Sequence, residues 1–301
     1  MASTVTSSVT SPVTSTVTSP EAPGTVEEPA LARREAPASA PRRTGRRAAA
    51  LAAVAARRTI AIVAFFALWE LAPRAQLVDP VFLPPVSEVL PALGDLARSG
   101  QLWSNTEASL IRALAGFGLA IVLAVPLGLL IGWYRPVSDL LNPLLELFRN
   151  TAAIALLPVF ILVLGIGETS KIAIVLYACT WPILLNTISA VRTVDATLVK
   201  SARSLGLPAV RIFQKVILPA AVPSVFTGIR LAGGISVLVM IVAEMVGAKE
   251  GLGFLIGSAQ QNFAITDMYA GILTISALGL VFNYLLILLE RRFTRWRTDA
   301  R

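Results

Sequence analysis

Apolar residues along this chain gather in long runs rather than alternating with polar ones, which is the pattern of membrane helices and not of strands. Six runs are read as spans: residues 59–72, 113–133, 151–167, 172–190, 225–248 and 270–289. About 20 helical residues cross about 30 Å of hydrocarbon, so the second, fourth, fifth and sixth runs suffice by length. The third is short. The first is shorter, carries Glu70, and needs Arg57 and Arg58 as snorkelling ends. The predicted fold class is all-α, a polytopic membrane protein of about six transmembrane helices.

A basic segment separates the fourth and fifth runs. Residues 194–223 read VDATLVKSARSLGLPAVRIFQKVILPAAVP, and Lys200, Arg203, Arg211 and Lys215 forbid their insertion into lipid. Leu198, Ala202 and Leu205 share one helical face, Gly206 suits a left-handed helix end, and Pro208 suits the first turn of a second, short helix. Val210, Phe213 and Ile217 recur at helical spacing as apolar anchors. A helix-turn-helix of this kind, held outside the bilayer, is expected to dock to a soluble partner.

Residues 1–56 differ in kind. A Ser/Thr/Val/Pro tract is followed by Ala/Pro/Arg/Glu-rich sequence without a sustained period, which buries too little apolar surface to offset chain entropy. A disordered cytoplasmic tail over 1–56 and a transmembrane domain over 57–301 are expected. The tail lacks the charged start and apolar run of a cleaved signal peptide. Its arginine pairs either hug anionic cytoplasmic lipid or, as the simpler reading, form a solvated tail obeying the positive-inside rule.

Composition narrows the function. The chain has 301 residues, 55% of them hydrophobic and 15% charged, with a mean hydropathy of +0.72. Its net charge of +8 sits in arginines and lysines flanking apolar runs, not interleaved with aromatics, so nucleic acid is not an expected partner. The same asymmetry orients the protein. With both termini cytoplasmic, Arg135, Arg149, the 194–223 segment and the arginines after residue 290 all lie inside, while the loops 74–112 and 247–269 lie outside. The single cysteine, Cys179, lies within an apolar run and histidine is absent, which excludes an intrachain disulfide, the usual transition-metal sites and His-based catalysis. The stretch Gly165 to Lys171 resembles a phosphate loop only faintly. Without a Walker A motif, the chain is not expected to bind and hydrolyse ATP unaided by a partner.

Within the spans, Gly128 and Gly132 form a GxxxG spacing for close helix approach. Pro158 and Pro182 either kink packed helices or line a pathway, since each frees a backbone carbonyl that needs a partner. Glu244, near the outer end of the fifth span, is either a helix-end carboxylate bonded to loop amides or a pathway residue. Asn186 is read as a hydrogen-bonding residue between helices.

The 194–223 segment resembles the cytoplasmic EAA loop of permease subunits of binding-protein-dependent ABC importers. Ala202, Gly206, Val216, Leu218 and Pro219 match that pattern, while Lys200 stands in place of its glutamate and Ser201 in place of its first alanine. Over 112–296 the chain is similar to the nitrate/sulfonate/taurine (SsuC/TauC-like) branch, through LAGFGLAIVLAVPLGLLIG, LPVFILVLGIGETSKI, PILLNTISAVRTVD and VAEMVGAKEGLGFLI. Asn150-Thr151-Ala152-Ala153 departs from it, where relatives carry prolines. The resemblance implies a bacterial plasma-membrane permease that forms a pathway with a second permease copy, as a homodimer. It implies two ATPase subunits that bind ATP and magnesium, each gripping one EAA loop through Lys200, Ala202, Arg203, Gly206, Phe213, Leu218 and Pro219. It also implies an extracytoplasmic solute-binding protein, and a small solute such as a sulfonate, taurine or nitrate. Two other classes make different demands on the chain. An ion-coupled secondary transporter needs ionisable groups at the midplane, and an intramembrane enzyme needs a nucleophile or carboxylate pair; the spans show neither plainly.

Overall fold

Only a helix satisfies its own backbone groups within a single membrane-crossing segment, and every regular element among the described residues is helical. The computed structural model describes residues 43–293, with side chains described from Thr59 onward. Most of the tail expected to be disordered therefore lies outside the described residues. Its last part does not remain irregular: α1 spans Arg43–Arg74, and the Ala-rich run at its start has the highest intrinsic helix propensity.

Two helices follow, α2 (Val86–Arg98) and the long α3 (Gln101–Trp133). Next come α4 (Arg135–Arg149), a 3-10 turn (Ala153–Leu156), α5 (Leu157–Leu164) and α6 (Glu168–Arg192). The basic segment forms α7 (Ala196–Ser204) and α8 (Ala209–Ile212), and the latter passes through a π-helical stretch (Phe213–Ile217) into α9 (Leu218–Met245). The chain closes with α10 (Leu252–Gln261) and α11 (Ile265–Phe293).

Helix α6 is the central post, flanked by α3 and α9. Gly116, Gly128 and Gly132 of α3 meet Val175, Thr187 and Val191 of α6 in the same order, so these two helices run parallel. The GxxxG pair works as expected: a Cβ on Gly128 would fall 2.7 Å from the Cβ of Thr187. α9 runs antiparallel to α6, with Gly228 against Asn186 and the Cys179 thiol donating to the Ala232 carbonyl at 3.4 Å. α11 returns along α9, tied by Arg230 to Glu290 at 2.9 Å and by stacked Phe226 and Phe293. Ile174, Ile183, Met240 and Val175 fill the core between these helices.

Among the described residues four helices are long and apolar enough to cross a membrane: α3, α6, the continuous Ala209–Met245 stretch and α11. The third expected span, 151–167, is not one of them. Its ordered part, Ala153–Leu164, rises only about 20 Å. α3 and α6 being parallel, the chain must cross back between them, and it does so as a broken pair in which Arg135–Arg149 and Ala153–Leu164 meet at 82°. Counting this pair gives five crossings. Arg149, expected in a cytoplasmic loop, therefore belongs to the crossing itself. Phe148 stacks on Trp181, half-way along α6, and the Tyr177 hydroxyl donates to the Phe148 carbonyl at 3.2 Å, so the break lies near mid-depth. The first expected span, 59–72, lies in α1. Its Glu70 is not stranded in lipid: it accepts from the Ser87 amide at 3.0 Å and the Ser87 hydroxyl at 2.8 Å, which fastens α1 to the start of α2.

Candidate functional site

Three places concentrate polar chemistry on this scaffold. At the α7 end, Asp195 caps α7 by accepting from the Thr197 amide at 2.8 Å, and this bond holds its carboxyl below the usual aspartate range. Gly206 follows the helix at φ +74°, with no atom within 4 Å of where a Cβ would stand, so its backbone angle and not crowding selects glycine there. The amides of Gly206 and Leu207 return to the carbonyls of Arg203 and Ala202, closing the helix end. Lys200, Arg203, Gly206 and Pro219 are exposed, as are Leu198, Leu205 and Val210. Ala202 is buried and Leu218 half-buried.

Two anchors read from the spacing face inward instead. Ile217 is buried in the core, and Phe213 packs edge-on against Trp133 with ring centroids 5.2 Å apart. The reason is the π-helical stretch. It joins α8 to α9 without a break, so the second helix of the pair is not a free short helix but the first turns of a span, and its inner face belongs to the bundle. The outward apolar contacts are accordingly Leu198, Leu205 and Val210.

At the opposite end, Glu244 is fully buried in a charged cluster. Its Oε1 accepts from Arg112 Nη1 at 2.6 Å and its Oε2 from the Gly253 amide at 2.9 Å, while the Ser109 hydroxyl donates to the same carboxylate at 2.7 Å. Arg112 also binds Glu168 and donates to the Glu250 carbonyl at 2.6 Å. The Gly251 amide donates to Asn105 Oδ1 at 2.7 Å and the Leu252 amide to Ser109 Oγ at 2.8 Å. One cluster thus bolts together the ends of α3, α6 and α9 and the entry to α10. The reading of Glu244 as a helix-end carboxylate bonded to loop amides is the one this geometry carries. Its partners Arg112 and Ser109 were missed because they lie 132 and 135 residues away in sequence. The Gly251-Leu252-Gly253 triplet was the available signal, since a Cβ at Gly251 would collide with the Glu244 carboxylate.

The third place is the mid-depth break. The Asn150 side chain donates to the Glu146 carbonyl at 2.8 Å and the Thr151 hydroxyl to the Leu147 carbonyl at 3.1 Å, so the end of α4 is satisfied locally. A cavity of about 390 Å³ opens beside it, lined by Arg149, Thr151, Trp181, Pro182, Ile235 and Val239. Pro182 therefore borders a cavity. Asn186 donates to the Pro182 carbonyl at 2.8 Å within its own helix and forms the surface against which Gly228 packs. Pro158 is exposed in the first turn of α5 and lines a second cavity, of about 470 Å³, with Leu157, Ile161, Val242 and Val246.

Comparison with known proteins sets these features in a family. Residues 124–296 match the family described as binding-protein-dependent transport system inner membrane component. The chain is 32% identical over 238 residues to the taurine transport system permease protein TauC of Escherichia coli, which covers 77% of this chain and 86% of that protein. It is 37% identical over 220 residues to a probable ABC transporter permease of Brucella abortus, covering 73% and 88%. It is 34% identical over 197 residues to the bicarbonate transport system permease protein CmpB of Synechococcus elongatus, covering 65% and 70%. An inward-facing structure of the MetNI methionine ABC transporter shares the fold, with a TM-score of 0.55 at 18% identity over 66% of this chain and 96% of that one. The chain is a multi-pass membrane protein and not an enzyme. It belongs to the inner-membrane permease family of binding-protein-dependent ABC importers, and its work is to carry a small solute across the membrane alongside separate ATPase and solute-binding subunits.

Proposed function

We propose that two copies of this chain form the pathway, that α7 and the turn at Gly206 are the handle for a cytoplasmic ATPase subunit on each copy, and that the solute is a small anion. The carrying observation is the uninterrupted path from Ala209 through the π-helical stretch to Met245. A push on the exposed turn moves the base of α9 directly, because Phe213 and Ile217 lock this stretch to the bundle. Alternating access follows from that rotation, and ATP with magnesium is held by the partner. Homodimer formation is supported by the face of α9 bearing Leu231, Ile235, Leu238 and Met245, which is exposed along the span while the opposite face is buried. The anion reading rests on the relatives, whose names specify taurine, aliphatic sulfonates and bicarbonate. Cytoplasmic termini and a binding protein docking at the α10 end follow from the loop charges.

Gly206→Val tests the handle. A β-branched residue at φ +74° is strongly disfavoured, so the turn re-aims α7 while the spans stay folded. The variant is expected to insert and accumulate like wild type, yet to lose the ATPase subunit on co-purification. Retention of the ATPase together with wild-type uptake refutes the assignment.

A further inference from the structure

Charges at membrane depth are expensive on a lipid-facing surface, and the break between α4 and the 3-10 turn carries two. Glu146 and Arg149 are 62% and 49% exposed in the single chain and touch each other at 3.1 Å, and Arg149 lines the same cavity as Trp181, at the middle of α6. Asn142 and Asn150 share the exposed surface of this stretch. A face of that composition at that depth needs water, so it borders an aqueous space. Arg149 spends only one nitrogen, Nη2, on Glu146, which leaves the rest of the guanidinium fork available. The walls beyond are apolar, Ile235 and Val239 of α9 among them.

We infer that Arg149 forms a mid-membrane station for the oxyanion group of the crossing solute, a sulfonate or carboxylate. The inference rests on the anion reading above and assigns it to residues. A guanidinium fork matches two oxygens of such a group. A solute held by one exposed arginine leaves readily, as a pathway requires. Glu146 competes for the same cation and keeps the station from trapping its cargo.

Two measurements test this on the full chain. In a Thr151→Cys variant, the rate of modification by an anionic methanethiosulfonate should exceed that by a cationic one severalfold, counted against the unsubstituted chain. Arg149→Gln in that background should abolish or invert the preference, and Glu146→Gln should enlarge it. A structural role for the pair would not move the two substitutions in opposite directions. In cells carrying the whole cognate system, Arg149→Gln should cut uptake of labelled taurine, methanesulfonate or bicarbonate, whichever the wild type carries, at least tenfold. Arg149→Lys should restore part of it, with ATPase retention unchanged. Equal reagent rates in the wild-type background, or undiminished anion uptake by Arg149→Gln, overturn the station. A wild-type system that carries only neutral or cationic solutes would instead refute the anion reading on which the station rests.

Discussion

Replacing Glu244 by glutamine changes one atom and no volume, yet it should be among the more damaging substitutions in the chain. Both carboxylate oxygens accept from fixed donors, Oε1 from Arg112 Nη1 at 2.6 Å and Oε2 from the Gly253 amide at 2.9 Å. An amide has one accepting oxygen, so in either orientation its NH2 group confronts a donor. The loss is one charge-assisted bond, about 1.5–3 kcal/mol, plus a buried donor left unpaired, about 1–3 kcal/mol. Arg112 keeps Glu168 and the Glu250 carbonyl, which holds the total below the roughly 3–5 kcal/mol of a fully orphaned buried charge. A net loss of about 3 kcal/mol corresponds to a fall in Tm of roughly 6–12 °C for a domain of this size. Thermal unfolding of the purified chain in lipid nanodiscs measures it. Combining Glu244→Gln with Ser109→Ala should cost less than the sum, because the Ser109 hydroxyl already donates to that carboxylate. A Glu244→Gln protein within about 0.5 kcal/mol of wild type, the range of an ordinary surface change, would show that the cluster does not bind the helix ends together.

Gly128→Ala should destabilise by about 1–3 kcal/mol through overpacking against Thr187, whereas Gly118→Ala, with nothing within 4 Å, should be neutral in the same unfolding assay. Gly251→Ala should behave at least as badly as Glu244→Gln, since it combines φ +126° with a collision against the Glu244 carboxylate; folded yield and Tm report it. The cap on α7 should be insensitive to pH near neutrality. Because the Asp195 carboxyl is held below its unfolded value, its contribution is complete above about pH 4 and disappears as acid protonates it, so α7 amide protection from hydrogen exchange should be flat from about pH 8 to pH 5 in wild type and reduced throughout in Asp195→Ala.

The long spans were legible because hydropathy alone identifies a helix that meets lipid, and the turn at Gly206 was legible because a left-handed backbone angle selects glycine so strongly. The crossing that begins at Arg135 was hidden by its own chemistry. Asp139, Asn142, Glu146 and Arg149 make α4 read as a loop, since polarity at depth signals an aqueous surface only once the neighbouring helices fix the depth. No residue pattern announces the π-helical stretch, which is set by how Phe213 and Ile217 settle against the bundle, and so the lever appeared as a separate short helix. Glu244 was visible as an anomaly without partners. Asn186 turned out to bond within its own helix, a local alternative that side-chain chemistry permits and spacing alone cannot rank.

Which end of the bundle meets the ATPase decides whether the turn at Gly206 is the handle. Leu205 is 80% exposed beside Gly206 at the α7 end, and Gln260 is exposed on α10 at the other. A photo-crosslinking residue placed at each position in turn, in cells expressing the intact transporter, reads the contact directly. The predicted result is an adduct with the ATPase subunit from position 205 and none with it from position 260. An ATPase adduct from position 260, or its absence from 205 in an actively transporting assembly, would contradict both the handle and the orientation.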